Sequence, residues 1–124
     1  MNLLLLVMAG GSVGAGARYL VGRGAFAAFG PGWPWGTLIV NVAGGLLMGV
    51  LVGALARFSA AEPWRLLLGV GVLGGFTTFS SFTLETVNMA ERGDWIGAMA
   101  YVGVSVAGSV LALLAGLAMT RVPA

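Results

Sequence analysis

The sequence predicts an all-α integral membrane protein with four transmembrane helices in a single domain, residues 1–124. Hydrophobic residues make up 59% of the 124 positions and charged residues 8%, and the mean hydropathy is +1.01. The apolar residues also fall into four long runs. A bilayer core of roughly 30 Å needs about 20 apolar residues per helix, so four runs of this length account for nearly the whole chain.

The four runs predict helices over residues 3–29, 35–58, 63–90 and 95–120, joined by loops too short to hold a further domain. Four tryptophans stand close to the beginnings of these runs, where an amphipathic ring favours the headgroup layer. They are Trp33, Trp35, Trp64 and Trp95. We interpret them as marks of the helix boundaries rather than as a site.

The third predicted helix contains an unusual polar stretch at its middle. Residues 74–82 (GGFTTFSSF) place two glycines and four hydroxyl side chains where an apolar span is expected. In hydrocarbon, irregular backbone survives only where it is buried in protein or lines a water-filled path. We therefore expect a broken helix at mid-membrane depth, with a polar species bound there or passing through.

Glycine is abundant, with 22 residues, and often recurs at a spacing of four. Membrane helices associate through small-residue faces, because lipid provides no hydrophobic drive between them. The spaced pairs are Gly10 and Gly14, Gly45 and Gly49, Gly49 and Gly53, Gly71 and Gly75, and Gly93 and Gly97. Tight packing follows, and since four thin helices enclose little volume, a pathway is expected between subunits.

The positive charges are evenly divided between the two ends of the predicted bundle. If the helices alternate across the bilayer, each side receives three arginines: Arg57, Arg65 and Arg121 on one, and Arg18, Arg23 and Arg92 on the other. Positive residues near helix ends set membrane orientation. The even split predicts insertion in both orientations and an antiparallel, dual-topology homodimer. An arginine lying too deep to be counted would restore a bias.

Composition argues against several classes of protein. The chain contains no His and no Cys, and no paired carboxylates or nucleophile with a base stand at catalytic spacing, so an enzyme is not expected. The net charge is +2, with six isolated arginines and no basic stripe. This pattern excludes the electrostatic footprint of a nucleic-acid partner.

The polar residues within the apolar runs form two lines. Thr37 and Asn41 are four apart on one helical face, and Tyr101, Ser105 and Ser109 form a similar line on the last helix. Intramembrane polar residues are functional hypotheses by default. For any single Ser or Thr, a hydrogen bond between helices is the favoured explanation, but that explanation is weaker for the whole set in two aligned lines.

The chemistry of these lines favours an anion over a cation. Amide and hydroxyl groups can donate hydrogen bonds, and Arg18 can raise the local anion concentration. Phe79 and Phe82, three apart, could turn their positively polarised ring edges toward an anion. Two phenylalanines alone are more often core packing, but these stand beside Thr77 and the serines that follow it.

Three segments of the chain resemble the successive signatures of the Fluc (CrcB) fluoride channels. The segments are residues 11–19 (GSVGAGARY), 36–44 (GTLIVNVAG) and 74–82 (GGFTTFSSF), the last followed by Glu85. The second and third are specific, and the resemblance covers nearly the whole chain. It implies a passive fluoride channel that exports cytoplasmic fluoride across a microbial inner membrane, with two pores in an antiparallel homodimer.

The resemblance also implies roles for individual residues. Asn41 would be a pore-lining donor, and Phe79 and Phe82 would contact fluoride. The polar lining would include Thr37, Tyr101, Ser105 and Ser109, and Arg18 would lie in a vestibule. Backbone carbonyls of Gly74 and Thr77 would meet their symmetry mates around a structural sodium ion.

Two alternatives remain open at this point. A small dual-topology multidrug transporter shares the helix number and charge balance, but it needs a membrane-embedded carboxylate, usually in its first helix. Here Glu85 is the only intramembrane acid. A structural membrane subunit is the other alternative, and in it substitution of Asn41 or Phe79 would affect stability alone.

Overall fold

The computed structural model describes residues 2–58 and 62–120, and this part of the chain contains four helical spans long and apolar enough to cross a membrane. Helices α1 (Leu3–Phe29) and α2 (Trp35–Leu55) form the first two. The third span, Glu62–Glu91, is composite, and α6 (Trp95–Thr120) is the fourth. The all-helical, four-span prediction is confirmed.

The third span consists of four helical pieces with one interruption. Its first half contains α3 (Glu62–Trp64), the π-helix π1 (Arg65–Leu73) and α4 (Gly74–Phe76), and its second half is α5 (Phe79–Glu91). The predicted break lies between α4 and α5. The π-helix was not predicted; in it the N–H of Gly74 donates to the carbonyl of Gly69, five residues earlier.

The helix bounds agree with the predicted runs for α1 and α6. Helix α2 ends at Leu55, three residues before the predicted end. The chain turns at Ala56 and Arg57, where Nη2 of Arg57 donates to the carbonyl of Thr120 at 2.5 Å. Arg121, one of the six arginines in the predicted charge balance, lies outside the described residues.

Two glycine seams hold the bundle together. Along the first, α1 packs on π1 and α4, and a Cβ at Gly10 or Gly14 would overlap the backbone of the third span. Along the second, α2 packs on α6, and a Cβ at Gly49 or Gly116 would overlap the facing backbone. The helices therefore meet backbone to backbone, as small-residue faces allow.

The fifth predicted glycine pair does not take part in helix packing, so that prediction was wrong. Gly93 follows the end of α5 with φ 86°, a conformation that favours glycine, and a Cβ added there would meet nothing within 4 Å. Gly97 lies in the first turn of α6, where its N–H donates to Oδ1 of Asp94 at 2.9 Å. Its spacing from Gly93 thus reflects a turn and a helix cap.

The side-chain core is small and lies between α2, α5 and α6. It contains Leu38, Phe82, Met89, Ala98 and Tyr101, with Trp33 packed against it. Most other large apolar side chains point outward. This distribution suits a protein whose exterior is in contact with lipid rather than water.

The first seam makes a prediction about two glycines of α1. Gly14→Ala should lower the unfolding free energy by about 1–3 kcal/mol, since its Cβ would overlap the carbonyl of Val72 and overpacking has that cost. Gly24→Ala is the matched control, because nothing lies within 4 Å of its Cβ. Thermal unfolding in detergent, followed by tryptophan fluorescence, measures both. Equal melting temperatures would contradict the seam.

Candidate functional site

The break in the third span comprises two extended residues, Thr77 (φ −84°, ψ 157°) and Thr78 (φ −149°, ψ 123°). The hydroxyl of each threonine hydrogen-bonds to the backbone at one end of the break. Oγ1 of Thr77 donates to the carbonyl of Leu73 at 2.9 Å, and Oγ1 of Thr78 accepts from the N–H of Ser81 at 3.2 Å. The threonines therefore end one half-helix and cap the next.

Asn41 of α2 holds the break through both ends of its side-chain amide. Its Nδ2 donates to the carbonyl of Thr78 at 3.0 Å, and its Oδ1 accepts from the N–H of Thr78 at 2.8 Å. Gly44 permits this approach, because a Cβ there would overlap the methyl group of Thr77. One Nδ2 hydrogen is used in this pair, and the amide has a second to donate.

The backbone carbonyls of Gly74 and Thr77 are among those at the break that lose their usual helical donors. In a continuous helix the carbonyl of Gly74 would accept from Thr78, and that of Thr77 from Ser81. Here the N–H of Thr78 donates to Asn41, and the N–H of Ser81 donates to the hydroxyl of Thr78. The two freed carbonyls are those that the resemblance assigns to a sodium ion.

Arg18 lies at the level of the break rather than at a helix end. Its Nε donates to the carbonyl of Gly75 at 3.1 Å, near the carboxyl end of the first half of the third span, where a cation is favoured. It also lines a cavity of about 510 Å³ on the α1 and α2 side of the break, together with Arg23 and Thr37.

A second cavity, of about 390 Å³, brings together five of the predicted pore residues. They are Asn41, Phe79, Phe82, Ser105 and Ser109. The rings of the two phenylalanines are 5.5 Å apart between centroids. We call this space the break cavity, because Thr77 and Thr78 also line it.

The polar groups around the break cavity are arranged to donate. Ser105 is buried, and its Oγ has no hydrogen-bond partner among the described residues. Helix α5 begins at Phe79, so the positive end of its dipole lies at the same cavity. Hydroxyl, amide N–H and a helix N-terminus together suit an anion, whereas the freed carbonyls of Gly74 and Thr77 suit a hard cation.

Thr37 and Tyr101 belong to a separate cluster, which is organised by Glu85. Oγ1 of Thr37 donates to Oε1 of Glu85 at 2.7 Å, and the Tyr101 hydroxyl donates to Oε2 at 2.9 Å. Thr37 and Glu85 also line a third cavity, of about 270 Å³, below the loop between α1 and α2. Each of the two predicted lines of polar residues is therefore split. Asn41, Ser105 and Ser109 lie at the break cavity, whereas Thr37 and Tyr101 lie with Glu85.

From the sequence, Glu85 was predicted only as a possible proton-coupling carboxylate of a transporter, and it was not among the predicted site residues. The available signal was its position as the one acid within the apolar runs. A carboxylate in a membrane span requires hydrogen-bonding partners. The residues able to supply them stand on other helices, so sequence spacing could not identify the partners.

Comparison with known proteins identifies the family. Residues 5–117 match the family described as CrcB-like protein, Camphor Resistance (CrcB). A relative from Caulobacter vibrioides, named Fluoride-specific ion channel FluC, is 56% identical over 98% of this chain and 97% of its own length. Relatives of the same name from Sphingopyxis alaskensis and Nitrobacter winogradskyi are 55% and 49% identical over 98% and 96% of this chain, and over 97% and 95% of their own lengths.

These matches confirm the resemblance found in the sequence. The relatives are named ion channels, which supports the prediction of a channel rather than an enzyme, and the four spans make the chain a multi-pass membrane protein. With the family profile covering most of its length and relatives more than half identical, this chain belongs to the CrcB-like family.

Proposed function

We propose that this protein is a passive, fluoride-selective channel that exports cytoplasmic fluoride across the inner membrane as a detoxification route. The observation that carries the proposal is the convergence of Asn41, Phe79, Phe82, Ser105 and Ser109 on one cavity beside a broken span. The names of the relatives support fluoride as the ion.

Fluoride is small and strongly hydrated, so a narrow path must replace its water with other donors while still releasing the ion. The break cavity contains such donors: the second N–H of Asn41, the hydroxyl of Ser105, which has no partner among residues 2–58 and 62–120, and the N-terminus of α5. The edges of the Phe79 and Phe82 rings carry partial positive charge and can face the ion where no hydrogen-bond donor is present.

The working unit in this proposal is an antiparallel homodimer with two pores. Phe79 lines the break cavity, yet it is 78% exposed within one subunit, so the cavity lacks a wall on that side. A second copy would supply the missing wall. Because Arg18 lies at the level of the break, the arginine count becomes three against two, a bias of one, so the charge count no longer favours both orientations equally and the dimer proposal rests on the open wall of the cavity.

The residues at the break fit the structural sodium ion that the family resemblance implies. The carbonyls of Gly74 and Thr77 have lost their helical donors, and unwound backbone carbonyls are typical sodium ligands in membrane proteins. When bound between two subunits, the ion would supply positive charge that holds the two breaks together. Arg18 and Asn41 fix the backbone next to these carbonyls, because they bond Gly75 and Thr78, the residues that follow Gly74 and Thr77.

Passive transport suffices for detoxification. Hydrogen fluoride enters as a neutral weak acid and dissociates in the less acidic cytoplasm, and the anion then leaves through the channel. The hydrogen bonds of Glu85 support this reading over a proton-coupled transporter. Both of its carboxylate oxygens accept from neighbouring hydroxyl groups, those of Thr37 and Tyr101.

Liposomes that contain the purified protein should release fluoride rapidly, and chloride only slowly, when a potassium ionophore is added. Phe79→Ile should lower the fluoride rate at least about tenfold, since a favourable ring contact of roughly 1.4 kcal/mol would be lost at the ion. Phe58→Ile is the control, because Phe58 is also exposed but lies away from the break cavity. No fluoride release from folded wild-type protein would overturn the proposed function.

Ser105→Ala should slow conduction without lowering stability. The hydroxyl makes no hydrogen bond within the described chain, so its removal should leave the unfolding free energy unchanged or raise it by about 1 kcal/mol. Fluoride efflux should fall several-fold, because a donor that faces the ion has gone. Ser12→Ala, on an exposed part of α1, should change neither quantity. An unaltered efflux rate in Ser105→Ala would remove this serine from the path.

Sodium removal should weaken the dimer. Protein in detergent should melt at a lower temperature, and dissociate more readily on dilution, in choline chloride than in sodium chloride at equal ionic strength. The reason is that the freed carbonyls of Gly74 and Thr77 would then lack a cation. Identical melting curves and identical dimer fractions in both salts would exclude a structural sodium ion.

A further inference from the structure

Trp33 has a contact that its position near the membrane surface does not predict. Its indole meets the ring of Tyr101 edge to face, with centroids 5.6 Å apart and planes at 74°. It is partly buried and packs against the core cluster. Two other tryptophans at the ends of the spans, Trp64 and Trp95, are exposed at 56% and 65%.

The ring of Tyr101 contacts two aromatic neighbours. Phe82, one turn after the start of α5, lies 5.3 Å from it between centroids, and Trp33 lies on the loop that precedes α2. Tyr101 is fully buried, and its hydroxyl donates to Oε2 of Glu85. Two rings from two different segments therefore fix the direction in which this hydroxyl points.

Trp33 also forms part of the wall of the 270 Å³ cavity that Thr37 and Glu85 line. That cavity is next to the loop of residues 30–34, whereas the break cavity lies deeper, beside Thr78. The cluster of Thr37, Glu85 and Tyr101 consequently has Trp33 on its loop side. The indole is thus both a ring contact of the cluster and a wall of the space that leads to it.

We propose that Trp33 is a positioning residue for conduction: its ring keeps the Tyr101 hydroxyl on Glu85 and limits the width of the cavity through which an ion reaches that cluster. Loss of the ring would free the phenol to rotate and would admit more water to the carboxylate. This inference rests on the proposed function, because it concerns a residue that positions side chains within the same channel.

Fluoride efflux from liposomes tests the inference with variants at one position. Trp33→Leu should slow efflux by about tenfold, which corresponds to the loss of one aromatic pair. Trp33→Phe should remain within about twofold of wild type, since a ring persists. Trp95→Leu is the control, because Trp95 is an exposed tryptophan at the membrane boundary. It should have no effect on the efflux rate. Each variant is assayed only if it elutes in size-exclusion chromatography as wild type does.

Tyr101→Phe provides a second arm that does not depend on how Trp33→Leu folds. It keeps both ring contacts and removes only the hydroxyl that Trp33 is proposed to aim, so it should slow efflux to a similar degree. The inference is overturned if Tyr101→Phe conducts as wild type, if Trp33→Leu does so, or if Trp33→Phe is as impaired as Trp33→Leu. Absence of fluoride efflux in the wild type would instead reject the proposed function.

Discussion

Every structural feature of the site depends on one constraint, that backbone polar groups inside a membrane must find partners within the protein. A broken span exposes such groups near the middle of the bilayer, where no water is available to hydrogen-bond with them. Asn41 hydrogen-bonds to both the N–H and the carbonyl of Thr78, and Arg18 donates a hydrogen bond to the carbonyl of Gly75. The side chains that maintain the break are thus the same ones that place polar chemistry in the bundle. Under the proposed function, stability and ion binding would therefore depend on the same hydrogen bonds.

The sequence was sufficient to predict the membrane fold, the four spans and the region of the break, because length, hydropathy and helix-breaking residues are local properties. It also identified Asn41, Phe79, Phe82, Ser105 and Ser109, which the break cavity unites. Helical spacing placed Ser105 and Ser109 on one face, and the same logic correctly placed the two phenylalanines together.

Other features depended on contacts between helices and could not be read from spacing. Tyr101 was grouped with the serines of its own helix, but its hydroxyl turns to Glu85 on α5. The pair Gly93 and Gly97 has the spacing of a packing motif and lies instead in a turn and a cap. The π-helix Arg65–Leu73 was also not predicted from the sequence; of its two glycines, Gly71 packs against Gly10 of α1 and Gly69 against Leu51 of α2.

The two halves of the third span belong to different partners. The first half packs mainly on α1, through the glycine seam, whereas α5 packs mainly on α6, which is itself joined to α2. Packing of α2 against both α1 and the first half of the span joins the two parts of the bundle, and Thr77 and Thr78 are the covalent connection between the two halves of the span. A tilt of one half of the span against the other would act on those two extended residues, and it would therefore change the spacing of the carbonyls and donors around the break.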